Sequence, residues 1–152
     1  MTIRNCSPAD RDAVNRLCRQ SNLLHVEGVP DVFVPEEEAF SETLWEGLLG
    51  DDHAVLLCAE SDGILCGFCH LTLKEQSGFR KMKNVHIKNI VVDESCRGQG
   101  TGHALLAESE RLAREWGAVH INLMCWAFNK DARRLYESLG MEPLYTFLKK
   151  DL

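Results

Sequence analysis

The stretch Ile90-Val-Val-Asp-Glu-Ser-Cys-Arg97-Gly-Gln-Gly100-Thr-Gly102-His103 decides how the whole chain is read. It passes from a run of β-branched residues, through a loop with three glycines in five positions, directly into a helical pattern. Glycine lets the backbone approach a ligand closely, and the first N–H groups of a helix have no partner within it. Such a junction is an anion site, and phosphate or pyrophosphate is its natural occupant. Two common phosphate binders are excluded by the residues themselves. A P-loop needs Gly-Lys-Ser/Thr, but His103 follows the last glycine. A dinucleotide fold needs Gly-x-Gly-x-x-Gly and an acid near the end of the next strand. Here the spacing is Gly-x-Gly-x-Gly, and Val119–Trp126 contains no acid.

Working outward, Val85–Val92 is the strand feeding the loop. Gly100 or Thr101 to Trp116 is the helix leaving it, with Leu105, Leu112, Ala113 and Trp116 on one face and Gly117 as its stop. Downstream, Val119–Trp126 reads as a strand, Lys130–Leu139 as a helix closed by Gly140, and Tyr145–Asp151 as a final strand. Upstream, Ala54–Glu60 and Ile64–Leu73 are apolar runs joined at Ser61-Asp62-Gly63, a hairpin signal. Gln76–Asn84 is polar and basic, and is expected to be a loop. Thr2–Cys6 is a short strand. Ser7-Pro8-Ala9-Asp10 supplies an N-cap, Pro at the first helical position and an acid in the first turn of a helix running to about Ser21. Residues 22–34 are irregular, and Pro35-Glu-Glu-Glu38 opens a second helix through Leu49. The order β-α-α-β-β-β-α-β-α-β predicts an α/β fold, a mixed central sheet flanked by helices, in a single domain over residues 1–152.

Composition narrows the function. The chain has 152 residues, with Lys+Arg 17 against Asp+Glu 23 and a net charge of -6. An acidic balance without a basic stripe argues against nucleic acid as a partner. No apolar run approaches a membrane span, and MTIRNCSPAD has neither the basic nor the apolar part of a secretory signal, so a cytoplasmic location is expected. The cysteines number 7, an odd count, and most sit in apolar runs, so buried free thiols are expected. Cys66-Gly-Phe-Cys69 has redox spacing, but on a strand positions three apart point to opposite faces, so these thiols should diverge. No spacing of His and Cys supports a metal site.

Arg97-x-x-Gly100-x-Gly102 resembles the coenzyme A signature Arg/Gln-x-x-Gly-x-Gly/Ala of the GNAT superfamily of N-acetyltransferases. A second segment, Asn129-Lys-Asp-Ala132-Arg-Arg-Leu-Tyr136-Glu-Ser-Leu-Gly140-Met141, is similar to that family's Asn-x-x-Ala-x-x-x-Tyr-x-x-x-Gly-Phe, with Met141 in place of Phe. The resemblance implies the GNAT fold, with acetyl-CoA as cosubstrate lying between the splayed strands Val85–Val92 and Val119–Trp126. It implies that the N–H groups around Arg97, Gly98, Gln99, Gly100, Thr101, Gly102 and His103 hold the pyrophosphate. A side chain at Gly102 would then block that approach. The backbone of Ile90, Val91 and Val92 would bond the pantetheine like an added strand, and an N–H near Val92 would face the thioester carbonyl. Asn129, also the obvious N-cap of its helix, would contact the pantetheine arm, and Tyr136 would protonate the leaving thiolate.

The implied reaction is direct attack by a primary amine of a small molecule or peptide on the thioester, in a ternary complex. The alternatives are a domain that holds CoA without turnover, or transfer of another acyl group. Many relatives carry a Glu at the place of Lys88, so the base stays open among His86, Asn89, His70, Glu60 and a water. Acceptor choice is expected from Asn22–Phe40, which contains His25, Glu27, Asp31 and Glu36–Glu38, and from Gln76–Asn84. Homodimers are common in the family, but nothing in the sequence identifies an interface.

Overall fold

The computed structural model describes residues 1–76 and 82–150. Its elements are β1 (Thr2–Asn5), α1 (Arg11–Gly28), α2 (Glu42–Leu49), β2 (Ala54–Ser61), β3 (Ile64–Gln76), β4 (Met82–Val92), α3 (Thr101–Glu115), β5 (His120–Leu123) and α4 (Lys130–Ser138). The strands form one sheet in the order β1-β2-β3-β4-β5. Neighbours are antiparallel except β4 and β5, which are parallel and joined through α3.

The β2–β3 hairpin turns on Asp62 and Gly63, both with positive φ (52° and 77°). A tight hairpin needs that geometry, and Asp-Gly supplies it at low steric cost. Two apolar layers then close the sheet. On one face, Val14, Leu17 and Cys18 of α1 and Trp45 of α2 pack with Phe40 on Leu56, Phe68 and Val91. On the other, Leu105, Leu106 and Ala113 of α3 pack on Leu57, Cys69, Leu71, Val85 and Ile87, with Leu135 and Tyr136 of α4 against them. Gly67 lets α3 sit close, because a Cβ there would lie 3.0 Å from Leu105 Cδ1 and Thr101 Cγ2 and 3.1 Å from the Val91 carbonyl.

Several elements differ from the sequence reading. Helix α1 continues to Gly28, since Asn22–Glu27 holds no helix breaker, and the expected breakers Gly28 and Pro30 fall only at its last position and beyond it. Residues 35–41 are not helical, and α2 begins at Glu42, where the Ser41 hydroxyl accepts the Leu44 N–H. The Asn15 side chain holds the preceding segment instead, bonding both the N–H and the carbonyl of Phe40. Strand β3 extends to Gln76 and β4 starts at Met82, so only part of the expected loop remains, and residues 77–81 lie outside the described residues. Residues 141–150 form no strand, and Asp151 of that expected strand is also outside the described residues. Cys6 and Cys58 are not free thiols but a disulfide, with Cα atoms 5.5 Å apart. The register explains the contact: Arg4 pairs with Cys58, and the Cys6 N–H bonds the Leu56 carbonyl. Cys66 and Cys69 do diverge. Cys69 lies under α3, 3.6 Å from the Ser109 hydroxyl, while Cys66 faces Cys96.

The start of α1 is anchored by Asp10. Its carboxylate accepts the Ser7 N–H and hydroxyl (2.7 and 2.8 Å) and both terminal nitrogens of Arg4 (2.8 Å each), while Arg4 also bonds Glu60. Arg4 holds the Asp10 carboxyl well below the ordinary carboxylate range. A lowered folded pKa stabilises at pH values above the unfolded pKa and is lost as the pH falls through the folded one. Asp10→Ala should therefore cost about 2–3 kcal/mol in urea unfolding at pH 5–7. The gap to wild type should narrow steadily below about pH 4.

Candidate active site

Strands β4 and β5 pair only from Asn84–His120 to Ile87–Leu123. After Leu123 the chain leaves the sheet through 124–129, whereas β4 runs on to Val92, paired on its other side with β3 as far as Gly67. The β5-facing backbone edge of Lys88–Val92 is thus uncovered by any strand among the described residues. A bulge precedes it: His70 pairs with Asn89 and Leu71 with Ile87, leaving Lys88 as the extra residue. The bulge resets the alternation, so Ile90 and Val92 join Val85 and Ile87 on the α3 and α4 side, while Val91 faces the other core.

The glycine loop sits at the end of this open edge. Asp93 bonds back to Cys66 through its N–H, and a short turn over Glu94–Cys96 leads into the loop. Gly98 and Gly100 have φ of +73° and +84°, with Gly100 as the N-cap of α3. Only glycine adopts that conformation without strain. The bond from the Ala104 N–H to the Gly100 carbonyl closes the first turn of α3, which leaves the N–H groups of Thr101, Gly102 and His103 ahead of the helical ladder. Thr101 is buried, its hydroxyl on the Cys96 carbonyl, and the Gln99 amide ties the loop to the Ser95 carbonyl. Arg97 and His103 are exposed beside these N–H groups, and Arg97 Nε lies 3.4 Å from the Val92 carbonyl.

Gly102 also governs how two helices pack. A Cβ there would point at Leu135 of α4, 3.0 Å from Cδ2, with Val92 Cγ2 at 3.8 Å. Its missing side chain thus lets α4 close on α3 and on the end of β4. Tyr136 stands one residue on, packed in the same layer as Ile90 and Val92. Burial, then the nearby Cys125 and Cys69, push its phenol above the usual range, so it stays protonated. Asn129 caps α4, its side-chain oxygen accepting the Ala132 N–H at 3.3 Å.

The candidate bases separate clearly. His70, His86 and Asn89 share the face that α1 and α2 cover. His70 is buried against Phe40, and its Nε2 has no partner. Burial, then the positive charge of Lys88, lower its pKa to about 4, so it is neutral at physiological pH. His86 lies on β4 opposite Asn122 of β5, with Nδ1 2.6 Å from the Asn122 oxygen. An amide oxygen only accepts, so Nδ1 carries a proton, and Nε2 is the acceptor whenever the ring is neutral. Glu60 is fixed by Arg4 at the far side of the sheet, two strands from β4, and is removed from the list.

One group of residues was not gathered by the sequence reading. Beside the mouth between β4 and β5, His25 meets Phe33 (centroids 5.1 Å) and Phe128 (5.6 Å), and Phe33 meets Trp126 (5.2 Å). Helix α1 bridges the opening. Gln20 bonds Asp93 and Glu94 at the loop, and Gly28 abuts the Phe128 ring, which a Cβ would strike at 2.5 Å. His25 Nδ1 donates to the Ser21 carbonyl at 2.6 Å, which places Nε2 among the rings. The sequence signal was the tight spacing Trp126-Ala-Phe128 just after a strand, legible only once that strand proved to end at Leu123.

The model of the acetyltransferase (GNAT) family matches residues 21–141. The chain belongs to that family. It is an N-acetyltransferase enzyme that uses acyl-CoA. A Bacillus subtilis protein proposed to be the ribosomal protein bS18-alanine N-acetyltransferase is 27% identical over 125 residues, covering 79% of this chain and 78% of its own length. The uncharacterized N-acetyltransferase YhfO of Bacillus subtilis is 32% identical over 145 residues, covering 93% and 90%. Among solved structures, the BH1408 protein from Bacillus halodurans superposes with TM-score 0.96 over 100% of this chain and 99% of its own, at 23% identity. The aminoglycoside N-acetyltransferase AAC(6')-Iy, solved in complex with CoA, gives TM-score 0.74 at 19% identity over 99% and 98%.

The Gly102–Leu135 contact can be measured directly. Gly102→Ala and Leu135→Ala should each destabilise the ligand-free protein. The double variant should lose less than the sum, with a coupling of about 0.5–1 kcal/mol by urea unfolding.

Proposed function

We propose that this N-acetyltransferase takes acetyl-CoA and moves the acetyl group to a primary amine by direct attack in a ternary complex. The observation that carries the reading is the uncovered edge of Lys88–Val92 leading into the N–H-rich loop at the start of α3. When bound, the cosubstrate supplies an activated acetyl thioester. The N–H groups of Gly98–His103 hold its pyrophosphate, with Arg97 adding positive charge and the His103 ring a hydrogen-bond donor. The backbone of Ile90–Val92 completes its hydrogen bonds with the pantetheine arm, as an edge strand does with an added strand. An N–H near Val92 stabilises negative charge developing on the carbonyl oxygen. Asn129 spends its side-chain oxygen on the cap of α4, which leaves its amide nitrogen for the pantetheine arm.

Tyr136 donates a proton to the departing sulfur. A phenol kept protonated by burial is suited to that role. His86 takes the proton of the incoming amine through Nε2, directly or by a water, with Asn122 fixing its tautomer. The acceptor enters on the α1 side, where His25, Phe33, Trp126 and Phe128 offer ring faces and edges. Glu27, Asp31 and Glu36 stand on the same segment, so an ammonium carried on an apolar body is the best match. A peptide N-terminus and an alkyl or aryl amine both have that chemistry.

Thermal unfolding with acetyl-CoA, CoA, ATP and NADPH in parallel tests the cosubstrate. A ligand at about 100 times its Kd stabilises by about 2.7 kcal/mol. For a domain of this size that is a rise of roughly 5–11 °C. Both CoA species should give this shift, and ATP and NADPH none; a shift with NADPH alone would overturn the assignment. Tyr136→Phe should lower kcat by about a hundredfold or more with acetyl-CoA affinity unchanged, and an unaltered kcat would remove Tyr136 from the acid role.

A further inference from the structure

The spacing Cys66-Gly-Phe-Cys69 has the form of a thiol pair, and the fold gives Cys66 a different partner. Cys69 turns under α3 to Ser109, whereas the Cys66 thiol is in side-chain hydrogen-bond contact with that of Cys96. Backbone bonds bring the two together. The Asp93 N–H takes the Cys66 carbonyl at 2.8 Å, one step past the last β3–β4 pair, Gly67 with Val92. The Cys96 N–H then returns to the Asp93 carbonyl at 2.9 Å, which folds the turn Glu94–Cys96 back against β3. The Asp93 carboxylate also accepts the Ser95 N–H and hydroxyl (3.0 and 2.6 Å), so side chain and backbone both fix the turn.

The five free cysteines differ in what they can do. Burial pushes the Cys18 and Cys69 thiols up to about 12, far from ionisation at neutral pH. Cys125 is exposed, but its sulfur meets the carbonyls of Trp126 and Asn129 rather than a thiol. Cys96 is half-buried, with Cys66 buried behind it. The hydrogen bond to Cys96, then burial, raise the Cys66 thiol, so the inner group holds its proton while it has that partner. An accessible thiol with a second one in contact behind it is the arrangement of an attacking and a resolving cysteine.

We propose that Cys96 and Cys66 form a thiol–disulfide site that reacts with a small-molecule disulfide and, once closed, weakens the hold of the adjoining glycine loop on its ligand. The Cys96 thiolate attacks one sulfur of the small disulfide and expels the other, which takes up the proton that Cys96 released. Cys66 then loses its proton and attacks Cys96 Sγ, expelling the second small thiol with that proton. One small disulfide is reduced to two thiols as the Cys66–Cys96 bond forms. A disulfide holds its sulfurs at about 2.05 Å, closer than two thiols in hydrogen-bond contact, so closure draws Cys96 toward β3. The Cys96 carbonyl accepts the Thr101 hydroxyl at 3.5 Å and Arg97 follows it in the chain, so the movement reaches the first turn of α3. The thiol chemistry stands apart from acetyl transfer, while the loss of affinity rests on the reading of this loop as the acetyl-CoA site.

The full chain, carrying Cys125→Ser so that the exposed thiol takes no adduct, is equilibrated with mixtures of oxidised and reduced glutathione. Peptide mapping without reductant should find Cys66 joined to Cys96, and dithiothreitol should restore both thiols. Cys66→Ser should keep one glutathionyl group on Cys96, and Cys96→Ser should leave Cys66 unmodified. By titration calorimetry, oxidation should weaken acetyl-CoA binding by about tenfold and leave the Cys96→Ser protein unaffected. Two free thiols at the most oxidising mixture, or a bond between Cys66 and Cys69, would overturn the site. The mapped bond with unchanged affinity would overturn its coupling to the loop. Failure of the reduced protein to bind acetyl-CoA would overturn that coupling together with the cosubstrate reading, and the mapped bond would tell this case from failure of the thiol pair.

Discussion

Parallel β4 and β5 share hydrogen bonds over only four residue pairs, and past Ile87 and Leu123 they separate. A parallel sheet normally covers its backbone groups without interruption, because buried N–H and C=O groups left unpaired are costly. Here the gap is supported from three sides. The bulge at Lys88 turns the β4 edge without giving up its pairing to β3. Below, α3 and α4 close on the gap through Gly102 and Leu135, which brings Tyr136 to the same layer as Ile90 and Val92. Above, α1 ties the loop end at Asp93 to the other limb at Phe128. The opening is therefore held by side-chain and backbone contacts on three sides rather than left as a frayed strand end.

The support above depends in turn on the first residues of the chain. Arg4 on β1 joins Asp10 ahead of α1 to Glu60 on β2, and Cys6 is bonded to Cys58 beside it. These links fix the start of α1 against the sheet, and its far end carries His25 into the ring cluster. A glutamate that the sequence allowed as a proton acceptor is thus part of the frame.

The donor side of the site was legible because its residues are local. A strand, a glycine loop and a helix start lie within fourteen consecutive residues, and Asn129 and Tyr136 cap and occupy one short helix. The fold class followed from the same periodicities. What escaped the sequence arose from contacts between distant segments. The direction of the Cβ at Gly102 depends on Leu135, thirty-three positions later. The length of β5 depends on where β4 releases it, so the apolar run to Trp126 read as strand throughout. Pro35-Glu-Glu-Glu38 has a good helix start, yet Asn15 and Asn22 hold that segment as an irregular strap by bonding its backbone. Tyr145–Leu148 does have β character, but propensity cannot say whether a partner strand lies within reach.

The contact that Gly102 allows also separates the two halves of the enzyme mechanically. The loop, the end of β4 and α4 form one interlocked block, so the two ends of a bound thioester would be kept in register by the same few side chains. The opposite wall is built of the α1 end, the strap at 29–41 and the turn bearing Trp126 and Phe128, joined to that block by Gln20 at the loop and by the backbone of 126–130 at the start of α4. Side chains on this wall that make neither link, such as Phe33 and those of the strap, can change shape, charge or size without touching the Gly102–Leu135 contact. A scaffold divided in this way can be refitted to new amines one wall at a time.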